Sequence, residues 1–142
     1  MTPIGTNPTI TELAMLVEDM VNRIPSDDPF STDATLFGID REGAYIIGSG
    51  RDPYEVLENT PKPHKAIAVA LLVSGWASPI TDEEIRPSQH PERIRIRLVN
   101  AIGDQGMSTV MRRADQPDDV EDLGGDGEGA LRDAMEAWWA QL

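Results

Sequence analysis

The chain has 142 residues, no cysteine, and 25 acidic against 12 basic residues, for a formal charge of −13. That length can bury a real core within one domain, residues 1–142, while the missing cysteines exclude disulfides, thiolate metal sites and thiol nucleophiles. The charge argues against general affinity for nucleic acid or anionic membranes, and no stretch reaches the ~18 apolar residues of a membrane span or forms a basic-then-apolar leader, so a cytoplasmic location is expected.

Residues 1–8 read as a loose N-terminal arm. Thr9 and Glu12 then have capping-box spacing. Ile10, Leu13, Ala14, Val17, Met20, Val21 and Ile24 follow helical spacing, and Pro25 ends the helix. Its opposite, polar face is expected to carry Glu12, Glu18, Asp19 and Asn22. After a polar loop, Leu36–Ile39 and Ala44–Gly48 read as the two strands of a hairpin turned by Asp40-Arg41-Glu42-Gly43. Asp52 is suited to cap a short helix with Pro53 in its first turn. Thr60-Pro-Lys-Pro63 is a stiff connector.

Residues 66–77 alternate large Ile67, Val69, Leu71 and Val73 with Ala66, Ala68, Ala70 and Leu72. This period of two suits a central strand apolar on both faces, although a buried helix is an alternative for the same run. A polar loop with Asp82, Glu83 and Glu84 follows. Ile94, Ile96 and Leu98 then alternate with Arg93, Arg95 and Arg97, Gly103-Asp-Gln-Gly106 forms a turn, and residues 107–113 return. Residues 115–129 hold Pro117, four glycines and seven acids and read as an acidic linker, disordered or laid over the surface. A C-terminal helix over residues 130–142 places Leu131, Ala134, Met135, Trp138 and Leu142 on one face. The expected fold is α+β: a mostly antiparallel five-stranded sheet, hairpin plus three-stranded meander, with N- and C-terminal helices packed on it. In element order it resembles the roadblock and longin scaffold modules, an analogy of topology.

The run GWASP followed by RPSQHPERIRIRLVNAIGDQG resembles a small class of uncharacterised proteins in actinobacteria and their phages. These share a Gly-Trp, an acidic loop, a His-Pro-x-Arg entry to a basic strand and a Trp-containing terminal helix. The resemblance spans about residues 52–142 and implies no activity.

Six of the twelve bases lie between residues 86 and 113. Arg93, Arg95 and Arg97, with Arg112 and Arg113 on the neighbouring strand and Arg86 before them, are expected to form a basic face suited to carboxylate or phosphate. The competing reading is internal neutralisation by the acidic linker. Trp76, Trp138 and Trp139 are candidates for an aromatic interaction patch, with Trp138 on the core side of its helix. His64 and His90, at opposite ends of a strand pair, should stand on the order of 40 Å apart, too far to share a metal or proton. Gly48-Ser-Gly50-Arg51 lacks the Lys-Ser/Thr of a phosphate loop, Gly125–Gly129 follows no expected strand, and the linker acids do not have calcium-loop spacing. No catalytic residue, metal or cofactor is therefore assigned.

The expectation is a non-enzymatic protein-interaction module, a phage or prophage protein that binds a host component or assembles with itself. The alternatives are a metal-dependent or anion-processing enzyme using carboxylates of loops 26–33 or 82–84, and an acidic DNA mimic.

Overall fold

The computed structural model describes residues 8–25, 27–63, 65–77, 89, 91–125 and 130–140. His64, His90, Arg86, the acids at 82–84, Asp126, Glu128 and Leu142 lie outside these, as do residues 1–7 of the expected arm.

The first helix, α1 (Ile10–Asn22), begins where Thr9 Oγ1 accepts a hydrogen bond from Glu12 N at 3.1 Å. This satisfies one of the amides that a helix start leaves unpaired. The hairpin strands are β1 (Ala34–Asp40) and β2 (Gly43–Gly50). Asp40 Oδ1 tightens their turn by accepting from Glu42 N at 2.8 Å and Gly43 N at 3.2 Å. Gly43 sits at φ 141°, where a side chain would be strained. Helix α2 (Pro53–Asn59) is capped by Asp52, whose Oδ1 accepts from Tyr54 N at 2.9 Å. There follow β3 (Ala68–Ala77), β4 (Ile94–Gly103), β5 (Gly106–Arg113), β6 (Gln116–Gly124) and α3 (Ala130–Trp139).

The six strands of the described residues form one antiparallel sheet in the order β2-β1-β3-β4-β5-β6. The class is α+β as expected, but the sheet has six strands rather than five. The sixth comes from the segment read as a linker: residues 116–124 pair with β5, with Val120 opposite Arg112 and packed against the core. Segment 66–77 is a strand from Ala68 onward, bonded on both sides, to β1 and to β4. A helix would leave no backbone groups for either neighbour.

The alternation in β3 divides the core. Its small residues Ala68 and Ala70, with Ala101 of β4, face α1 and let Leu13, Ala14, Val17 and Val21 approach closely. Its larger Val69, Leu71 and Val73 face α2 and α3, meeting Val56, Leu57, Met135 and Trp138. Each such fully buried side chain contributes about 1.5–3 kcal/mol of transfer free energy. The sheet is thus covered on both faces. Among the described residues, its two edges, β2 and β6, each have a strand neighbour on one side only.

Candidate functional site

The basic face does not form as a surface. Arg97 points toward α1 and is 1% exposed, on a Glu18 that is also 1% exposed. Its Nε donates to Glu18 Oε2 at 3.0 Å and its Nη2 to Glu18 Oε1 at 2.8 Å, a fork-to-carboxylate pair. Nη2 also reaches Asn22 Oδ1 at 3.0 Å, and Nη1 donates to the carbonyl of Pro29 at 3.2 Å. Arg112 comes from the facing position on β5, and its Nε donates to the same Glu18 Oε1 at 2.5 Å. Its Nη1 donates to the Pro117 carbonyl. Glu18 is therefore not on the solvent side of α1 as expected. It lies within the buried stripe and bridges two arginines that would otherwise repel each other.

Arg113 is on the opposite sheet face from Arg112, opposite Ile96. It forms a two-pronged pair with Asp115, at 2.9 and 2.8 Å. That hydrogen bond holds the Asp115 carboxyl below its ordinary value. Residues of the acidic segment thus do meet two of the arginines, but from the turn and strand of a sheet. Two further arginines flank one ring: Arg93 and Arg95 stand 4.9 and 4.7 Å from the Trp76 centroid. Arg95 also lies 3.8 Å from Asp28.

The three tryptophans do not form one patch. Trp76 pairs with Arg95 on the α1 side of the sheet. Trp138 and Trp139 pack on the α2/α3 side. Trp138 is buried and its Nε1 donates to the Thr60 carbonyl at 2.9 Å. Trp139 is half-buried beneath Lys62, whose ammonium is 4.3 Å from its ring centroid. Among the described residues, no three His, Asp or Glu side chains are gathered as a metal site. No helix there is long and apolar enough to cross a membrane.

Among the described residues, what remains open is a sheet edge. The two edges differ sharply. Along β6 the chain places Pro117, Asp118, Asp119, Glu121 and Asp122, the devices that prevent another strand from adding. Along β2 it places Gly-Ala-Tyr-Ile-Ile-Gly-Ser-Gly, with no charge and no proline. Tyr45 is 41% exposed and Ile46 64%. Ile46 also borders a cavity of about 250 Å³ beside α1, lined with Val21, Ile24, Phe37, Leu72 and the paired Arg97. Ile24, at its rim, is exposed as well. The absence of any charged residue between Glu42 and Arg51 is the signal in the sequence that points to this edge.

Comparison of the chain with protein-family models, with curated proteins and with solved structures gives no match.

Proposed function

We propose that the protein is an interaction module that captures an extended strand along β2. The observation that carries this reading is the contrast between the two edges: β6 carries a proline and four acids, whereas β2 carries neither and is interrupted only by a one-residue bulge at Ile47. An unguarded edge presents a row of backbone donors and acceptors to another chain. Strand addition of this kind draws its affinity from main-chain hydrogen bonds and its selectivity from side-chain pockets. The apolar cavity beside Ile46 is such a pocket.

Peptide-display selection against the immobilised protein tests this. Binders are expected to be extended sequences with alternating apolar residues, and to lose binding to the Ile46→Lys variant. Selected binders that all ignore Ile46→Lys would overturn the reading.

A further inference from the structure

The hairpin contains a bulge, and the bulge gives β2 an internal symmetry. Pairing with β1 runs Gly50, Ser49 and Gly48 against Ala34, Thr35 and Leu36, then resumes with Ile46, Tyr45, Ala44 and Gly43 against Phe37, Gly38, Ile39 and Asp40. Ile47 is the extra residue. The β1 partners of Tyr45 and Gly48 are two apart, so both residues face the α2/α3 side. Ala44 and Ser49 both face the α1 side, their partners being Ile39 and Thr35. Gly43 and Gly50 again agree, opposite Asp40 and Ala34. Without the bulge, residues an odd number apart would point to opposite faces. With it, the three outer pairs equidistant from the Ile46–Ile47 peptide share a face, while Ile46 lies on the α1 side and Ile47 packs on the α2/α3 side. By the same alternation of partners the outer pairs share a hydrogen-bonding phase.

A strand with this property can pair with itself. We propose that the occupant of the β2 edge is a second copy of this chain, antiparallel about a two-fold axis at Ile46–Ile47, so that two six-stranded sheets continue into each other. The proposal rests on the edge reading above and adds the identity of the partner. In this register Gly43 meets Gly50, Ala44 meets Ser49 and Tyr45 meets Gly48 of the other copy. No charge is buried, because none lies between residues 43 and 50. The flanking residues are complementary. Glu42 meets Arg51 of the second copy, and Arg41 meets Asp52. All four are exposed, and both pairs occur twice in the dimer. A net charge of −13 on each copy is a long-range repulsion, but salt screens it beyond about 8 Å at physiological ionic strength. A closed two-fold pairing also uses up the edge, which an open-ended chain of strands would not.

An eight-residue strand is a small interface, so a dissociation constant of about 1–100 µM is expected. Light scattering over that concentration range should show the mass rise from 15.6 kDa toward a dimer. Ile46→Lys brings two cations to the axis and should leave a monomer whose melting temperature matches that of wild-type protein diluted below its dissociation constant. Glu42→Arg should weaken the dimer roughly ten-fold, the loss of two exposed pairs together with new repulsion. Adding Arg51→Glu should restore it.

Because the chain has no cysteine, Glu42→Cys protein mixed with Arg51→Cys protein provides a background-free register test. On oxidation the mixed disulfide should dominate over either symmetric one. A protein monomeric throughout, yet still binding selected peptides in an Ile46-dependent way, overturns self-pairing and leaves the edge reading intact. A dimer indifferent to Ile46→Lys, or one lacking the mixed disulfide, overturns this pairing.

Discussion

Arg97 and Arg112 stand directly opposite each other on β4 and β5 and close on a single oxygen of Glu18, at 2.8 and 2.5 Å. Removing the carboxylate would leave two buried guanidiniums face to face. Glu18→Gln should therefore destabilise by about 3–5 kcal/mol in urea unfolding. Asp19→Asn, which breaks the exposed pair with Arg23, should cost at most about 0.5 kcal/mol. Replacing all three members of the cluster by apolar residues of similar volume should recover most of the loss, since such clusters are often no more stable than a packed apolar substitute.

Two glycines are fixed by close approach and should respond differently to alanine. A Cβ at Gly103 would stand 2.9 Å from the backbone oxygen of Ile67, where nothing flexible can give way. Gly103→Ala should cost about 1–3 kcal/mol. At Gly38 the obstacle is the Tyr45 ring, at 2.8 Å. That ring is partly exposed and can swing aside, so Gly38→Ala should cost less. Thermal denaturation of the two variants side by side gives the ranking.

Trp138→Phe should isolate one hydrogen bond. The indole Nε1 donates to the Thr60 carbonyl across the α2–α3 contact. A phenyl ring leaves that carbonyl buried and unpaired, a cost of about 1–3 kcal/mol. Denaturant unfolding should show this loss with an unchanged slope.

Asp115 titrates below its ordinary value because Arg113 donates to it. A group whose folded value is depressed adds stability above its unfolded value, and that contribution is lost as pH falls through the folded value. Stability should thus gain from this pair at neutral pH and lose it only in acid. Carboxyl NMR should place the Asp115 midpoint below that of a free aspartate, and Arg113→Gln should return it toward the ordinary range.

Elements with strong local signals are legible in the sequence: the Thr9 cap and apolar stripe of α1, the Asp40 turn, the Asp52-Pro53 start of α2, and the alternation in β3 and β4. β6 is not, because Gln-Pro-Asp-Asp-Val-Glu-Asp-Leu-Gly shows neither apolar alternation nor strand propensity. It is a strand because β5 offers it an edge, a tertiary cause that local propensity does not contain. Charge alone places Glu18 on the wet side of its helix. Position is the better guide: residue 18 falls inside the 14, 17, 18, 21 spacing of the buried stripe, opposite a strand of arginines. Arg112 and Arg113 do not share a face for a simpler reason, since neighbouring residues in a strand point to opposite sides.

The Glu18 cluster also bears on how the chain is made. Residue 18 leaves the ribosome 79 residues before Arg97 and 94 before Arg112. At typical synthesis rates the apolar face of α1 and its carboxylate wait roughly 4–19 s for their counterions. Until then the N-terminal helix can dock only on incomplete strands. A chain stalled before β5 would present Leu13, Val17 and Val21 to chaperones and proteases. Stop codons in the last third of the message should therefore deplete the protein in the cell out of proportion to the length of chain they remove.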